Sequence, residues 1–395
     1  MRYVPAAENP PPQADYRGLA IAELIDAAEP PTGRTLDRFV EEHEFPIVEG
    51  VRCTFVFRGE AQAVALRHWV FGLPTAVPLE RLRGTDLWYY VLELPEGARV
   101  EYKFEVTDGR KSRWVRDELN PNVARDPFGA NSVCYASGYE VPNWIHDHPS
   151  TPKGTLEERV IQSEALGGTR RVTVYRPARF RPTRRYPLLV VHDGRDYQRF
   201  ASLVEVLDNL IHARDIPGLI VAMTHPADRM EQYRDSEQHA RYVAEELVPA
   251  LEADLPLLGT PDGRGLMGAS LGAVASLSTA IRYPNMFGRL LLQSGSFAFS
   301  DVGQHDRGPV FDPIADMINQ YRAEPTAVTD RIFLSCGTHE SLIYENRSLV
   351  PLLQRTGMDV RYVEAPDGHN WENWRDRLRE GLAFLFPGPL WWTYY

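Results

Sequence analysis

Cysteine is scarce: Cys53, Cys134 and Cys336 are the only three in 395 residues. Their spacing makes neither a zinc-ligand set nor a disulfide framework. A reducing, cytoplasmic setting is the simplest expectation; Cys53 and Cys134 are the two that would pair in an exported protein. No window approaches the roughly 18 consecutive apolar residues of a membrane span. The opening residues MRYVPAAENPPPQADYRG carry no apolar h-region, so no signal peptide is expected. Positive charge is also short. The net charge is −11, and no Lys/Arg cluster is long enough to serve a phosphate backbone, which argues against nucleic acid as a partner. There is no HExxH, no GxGxxG after a first strand and no P-loop, so neither a metal nor a nucleotide cofactor is expected. No internal repeat is visible.

What is present is ordinary globular composition, 43% hydrophobic and 25% charged, in a length that suits two domains. Residues 1–45 are Pro-rich and acidic and read as an extended arm with one short helix near 35–43. Over 46–140 the pattern has period two. VRCTFVFRG (51–59), AVALRHWV (63–70), DLWYYVLEL (86–94) and RVEYKFEVTD (99–108) are β-branched and aromatic, with short turns between. They predict a small antiparallel, Ig-like sandwich. NPNVARDPFGANSVCY (120–135) reads as a loop leading to its last strand, and 141–158 as a linker.

Over 159–395 strands alternate with helices, the signature of a mostly parallel α/β sheet. Strands are expected at 159–165, 171–177, 186–193, 218–224, 264–269, 289–294, 331–336 and 359–365. Helices are expected at 197–213, 236–253, 271–283, 313–322, 341–356 and 371–385. LLVV and LLLQS are near-continuous apolar runs, as strands covered on both faces require. Cys336 falls in such a strand and reads as buried and inert. The chain closes on FPGPLWWTYY, whose Trp391, Trp392, Tyr394 and Tyr395 read as capping an apolar seam.

The strongest chemical signal is Gly268-Ala269-Ser270-Leu271-Gly272, between a predicted strand and a predicted helix. That is the context of a nucleophile elbow: the glycines permit a sharp turn, and the serine hydroxyl stands at its tip. The N–H of Leu271 would point at a substrate oxygen. A serine needs a base, and in this arrangement the base follows the last strand. His369, in DGHNW, lies there. The orienting acid belongs after the penultimate strand, where Glu340 stands in GTHES; Asp367, on the histidine's own loop, is the rival. Asp330 and Asp359 begin strands and so lie at the wrong pole. A second oxyanion donor belongs after YPLLVVHD, where the N–H of Arg195 follows Gly194. His225, Arg229 and Arg234, on the loop 224–242, leave the same edge and are candidates for substrate contact.

With HDGRDY, GASLG, GTHESLI and DGHNWENWRDRL in place, residues 155–386 resemble the esterase D group of α/β-hydrolases. A sandwich ahead of the hydrolase, with LERLRGTDLWYYVLEL, EYKFEV and RDPFGANSV, is similar to the enterochelin (ferric enterobactin) esterases. Feruloyl and acetyl-xylan esterases share GTxxSLI. The resemblance implies an α/β-hydrolase fold and a Ser270–His369–Glu340 hydrolase without cofactor. Glu340 stands where many relatives have Asp. The expected activity is serine carboxylic ester hydrolysis through an acyl-enzyme, on enterobactin-type siderophore esters. The alternatives are a feruloyl or acetyl esterase on phenolic or carbohydrate esters, an acyltransferase of the same superfamily, and a carbohydrate-binding protein on an inactive scaffold. The expected partner is a small-molecule ester.

Overall fold

The computed structural model describes residues 16–300 and 307–388. The start of the Pro-rich arm and the four tail aromatics lie outside the described residues. The chain divides into two compact units, one of Met1–Ala124 with Gly129–Glu140, the other of Arg125–Phe128 with Val141–Tyr395.

Among its described residues the first unit holds ten strands: β1 Ile47–Glu49, β2 Arg52–Arg58, β3 Ala63–His68, β4 Ala76–Pro78, β5 Glu80–Arg81, β6 Leu87–Glu93, β7 Arg99–Asp108, β8 Lys111–Val115, β9 Val123–Asp126 (whose last two residues count with the other unit) and β10 Gly129–Tyr135. One sheet runs β1-β2-β6-β5 and the other β4-β3-β7-β10-β9, with β8 added beside β7. All pairings recorded in the two sheets are antiparallel. The expected sandwich strands are there. β1, β4, β5 and β9 went unforeseen because strands of two to four residues are too short to show a period; β8, whose KSRWV is polar and mostly exposed, also went unforeseen. Alternate residues close a core of Cys53, Phe55, Leu66, Tyr102, Phe104 and Cys134. Cys53 and Cys134 are free thiols there.

The arm has the helix expected near 35–43 but otherwise departs from expectation. Over the described residues 16–45 it is not a loose extension. It forms helices Ala22–Ile25 and Gly33–Glu42, the latter capped by Thr32 Oγ1, which accepts the Thr35 N–H at 3.3 Å. Leu19, Ile21, Leu24, Leu36 and Phe39 are buried with Val56, Leu87 and Tyr89 of β2 and β6. Spaced apolar residues, diluted by proline and acid in composition, suffice for a second small core.

The second unit holds an eight-stranded sheet: β11 Thr155–Ser163, β12 Gly168–Arg176, β13 Leu188–Val191, β14 Ile220–Thr224, β15 Arg264–Ala269, β16 Arg289–Gln293, β17 Arg331–Gly337 and β18 Asp359–Ala365. The order is β11-β12-β14-β13-β15-β16-β17-β18. β11, β12 and β14 pair antiparallel; from β14 to β18 the sheet is parallel. This is the α/β-hydrolase type of fold that the sequence predicts. Both faces are covered, by one apolar cluster around Leu266, Val274 and Leu290 and another around Leu189, Met267 and Leu378. No cluster of three or more potential metal ligands occurs among the described residues, and no helix there is long and apolar enough to cross a membrane.

Several stretches differ from expectation, among them the loop 224–242, which holds a short helix Arg229–Tyr233. The helix foreseen at 197–213 is two, Gly194–Phe200 and Leu203–Ala213, broken at Ser202 with φ 46°. The helix foreseen at 236–253 contains a π turn, Tyr242–Leu247, just before Pro249, whose nitrogen has no proton for the carbonyl four residues back. The stretch read as linker, 141–158, belongs to the second unit: Asn209 Nδ2 donates to the carbonyls of Trp144 and His146, Gly154 N–H donates to Asp208, and β11 begins at Thr155. Because Phe39 is buried between helix and sheet, Phe39→Ala is expected to destabilise the first unit by about 3 kcal/mol in urea denaturation.

Candidate active site

The chain runs from β13 to β14 on one side and then to β15 on the other, so the strand order reverses at β13. A crevice outside the carboxyl ends of the strands belongs at such a point. Those ends carry His192–Arg195 after β13, His225 after β14, Ser270 after β15, Ser294 after β16, Glu340 after β17 and His369 after β18.

Ser270 has φ 57° and ψ −120°, a conformation that non-glycine residues hold only when their surroundings impose it. A Cβ on Gly268 would lie 2.3 Å from the backbone of Gly272, which explains that glycine. Ser270 N–H donates to the Gln293 carbonyl at 2.9 Å, and Ser296 N–H donates to the Ser270 carbonyl at 3.3 Å. The Ser270 Oγ lies 3.4 Å from Ser296 Oγ. Leu271 opens the helix Leu271–Arg282, whose first N–H groups have no acceptor within the helix.

His369 Nδ1 lies 2.5 Å from Glu340 Oε2. Glu340 is only 4% exposed. Its other oxygen accepts the Ser294 hydroxyl at 2.6 Å and the Gly337 N–H at 2.7 Å. Trp374 Nε1 donates to Ser294 Oγ at 2.9 Å, and the Trp374 ring stands edge-on to His369. Burial pushes the Glu340 carboxyl up, but His369, Ser294 and Gly337 together outweigh it and hold it below the usual glutamate value. An ionised Glu340 fixes the proton of His369 on Nδ1 and leaves Nε2 as an acceptor. Gly337 is needed as glycine: a Cβ would sit 2.2 Å from the Asp367 carbonyl and 2.9 Å from Glu340 Oε1. Asp367, the rival acid, instead accepts Gly368 N–H at 2.7 Å and Asn370 Nδ2 at 2.8 Å within its own loop. Among the described residues no hydrogen bond joins Ser270 to His369.

The Arg195 N–H donates to His225 Nδ1 at 3.2 Å. His225 Nε2 therefore carries the proton and meets Thr173 Oγ1 at 3.0 Å, and Thr173 donates in turn to Glu158. Burial first, then the charge of Arg195, holds His225 below the usual histidine value. Arg229 pairs with the buried carboxylate of Asp193 at 2.8 Å, and Arg234 with Glu231 at 2.6 Å. Neither arginine is thus a free cation. Ser294, Ser296, Thr173 and Asp193 went unread from sequence. Ser294 and Asp193 left a signal, as the residues ending the apolar runs RLLLQS and YPLLVVHD.

Beneath this edge, His192 Nδ1 donates to the Met267 carbonyl at 3.1 Å, and its Nε2 meets His239 Nε2 at 3.0 Å. Full burial pushes His192 down to about 4.

The Esterase family matches residues 163–385. The iron(III) enterobactin esterase of Escherichia coli O6:H1 (strain CFT073) is 25% identical over 334 residues, covering 78% of this chain and 81% of that one. The structure of the enterobactin esterase of Shigella flexneri in the presence of enterobactin aligns with a TM-score of 0.73 at 22% identity, over 88% of this chain and 97% of that one. A ferulic acid esterase of Anaeromyces mucronatus aligns with a TM-score of 0.51 at 17% identity, over 61% of this chain and 94% of its own.

The depressed groups His192, His225 and Glu340 give stability at neutral pH that acid removes, the two histidines together in the upper range. For His192 the loss begins as pH falls below 6.5, its unfolded value, and continues toward about 4; for Glu340 it begins near 4.5. The urea midpoint is therefore expected to fall in two stages on acidification, and Glu340→Gln to shrink the lower one.

Proposed function

Because the chain belongs to the Esterase family, we propose that it is a serine carboxylic ester hydrolase with Ser270 as nucleophile, His369 as general base and Glu340 as the orienting acid. The observation that carries this is the 2.5 Å contact of His369 Nδ1 with buried Glu340, at the sheet edge where Ser270 sits on its strained turn. His369 Nε2 takes the hydroxyl proton as Ser270 Oγ bonds to the ester carbonyl carbon. The carbonyl oxygen becomes an oxyanion, held by the N–H groups of Leu271 and Arg195. For this the Arg195 N–H changes partner, from the neutral nitrogen of His225 to the oxyanion. Collapse breaks the bond to the alcohol, which leaves with the proton from His369. Water then attacks the acyl-enzyme, with His369 again taking the proton, and the acid departs.

The substrate we propose is an ester of an enterobactin-type siderophore. The alignment with the enterobactin esterase reaches 88% of the chain and so extends into the sandwich unit, whereas that with the ferulic acid esterase stops at 61%. Ferric enterobactin is expected to be hydrolysed faster than methyl ferulate or acetylated xylan; the reverse order moves the enzyme to the phenolic or carbohydrate branch. Transfer to an added hydroxyl acceptor in preference to release of free acid would make it an acyltransferase. No turnover of any ester, with glycan binding intact, would favour the binding-protein reading.

Ser270→Ala is expected to abolish both p-nitrophenyl acetate hydrolysis and labelling by a fluorophosphonate. Glu340→Gln, which keeps shape but loses the charge, is expected to lower kcat by at least about 100-fold. Retained activity in Ser270→Ala would show the wrong nucleophile has been named.

A further inference from the structure

Arg229 lies at the start of the helix Arg229–Tyr233, on the loop after β14. Its Nε donates to Asp193 Oδ2 at 2.9 Å, and its Nη2 reaches the same oxygen at 2.8 Å and the carbonyl of Ala269 at 3.4 Å. One guanidinium thus joins two strand ends. Ala269 is the residue before Ser270. Asp193 stands two residues before Arg195, whose N–H is the second oxyanion donor in the reading above.

Asp193 is held in an unusual way. Its backbone is left-handed, with φ 55° and ψ 35°. Its N–H donates to Tyr233 Oη at 3.1 Å, and its side chain is only 3% exposed. A Cβ on Gly272, in the helix behind Ser270, would lie 3.3 Å from Asp193 Oδ2. A carboxylate so buried needs a counter-charge, and Arg229 is the cation paired with it. A guanidinium offers donors in a fixed planar fork, which can hold two acceptors in register where an ammonium holds a point.

We propose that Arg229 is a positioning residue, which locks the Asp193 turn to the Ser270 turn and so sets the distance between the oxyanion donors and the nucleophile. It is not a group that touches substrate. The inference rests on the serine-hydrolase reading, and displacement of either turn by about 1 Å is enough to cost two orders of magnitude in rate.

The test uses the full chain and p-nitrophenyl acetate, a neutral ester with no anion for an arginine to grip. Arg229→Lys and Arg229→Met are each expected to lower kcat about 10- to 100-fold while KM stays within about twofold. Arg229→Met combined with Asp193→Asn is expected to be no slower than Arg229→Met alone, because both changes break one contact. Guanidinium chloride at millimolar concentration, against a sodium chloride control, is expected to restore part of the kcat of Arg229→Ala. A loss confined to KM, or unchanged kinetics in the Lys and Met variants, overturns the proposal. So does a lowered melting temperature without guanidinium rescue, which leaves Arg229 a role in fold stability alone. Ser270→Ala is measured beside them. Full activity there overturns both readings, whereas an inactive Ser270→Ala with an unaffected Arg229→Met overturns only this one.

Discussion

A carboxylate taken out of water must be matched by donors or it will not stay ionised, and Glu340 meets that demand with three. Ser294, Gly337 and His369 come from the ends of three adjacent strands, so the parallel register of β16, β17 and β18 is what makes the carboxylate possible. The same carboxylate then fixes the histidine ring, with Trp374 against its face and holding Ser294 from the other side. A glutamate is one methylene longer than an aspartate, and the extra reach is accommodated by a glycine at 337, where a side chain would collide with both the carboxylate and the neighbouring loop.

Strain gathers at this one edge of the sheet. Asp193, Ser270 and Ser294 all have positive φ without being glycine, and they follow β13, β15 and β16. Each such residue costs of order 1–3 kcal/mol and persists only where packing overdetermines it. The apolar strands buried on both faces supply that rigidity, with Leu189, Val190, Leu266 and Leu291 fully enclosed. The interior of the sheet is regular so that its carboxyl ends can be irregular.

The architecture was legible in the chain because its signals are local. Period two marked the sandwich strands, and unbroken runs such as LLVV and LLLQS marked strands with two covered faces. Ser270 stood out by its flanking glycines, and Glu340 and His369 because each follows a predicted strand; the geometry brings the last two into contact. What escaped was non-local. Arg229 reads in sequence as one more cation on a polar loop; its partner Asp193 lies 36 residues earlier, and nothing near either residue announces the pair. The sequence likewise places His225 on a loop at the substrate edge but does not announce that it accepts the Arg195 N–H and reaches back to Thr173 on β12. The described part of the arm was misjudged for a different reason. Proline and acid dominated its composition, while burial depended on a few apolar side chains finding a sheet whose face the sequence leaves unspecified.

That arm bears on how the protein tolerates being shortened. Val56, Leu87 and Tyr89 are buried under Leu36, Phe39 and their neighbours. A chain trimmed to begin at the first sandwich strand would keep every strand of that sheet yet bare a contiguous oily face to water. Such a face drives self-association, so the trimmed protein would be exposed to aggregation as well as to the stability lost with that core. Proteolytic clipping between the helix Gly33–Glu42 and β1 would carry the same risk in the cell, making this short connection a point where damage turns into aggregation.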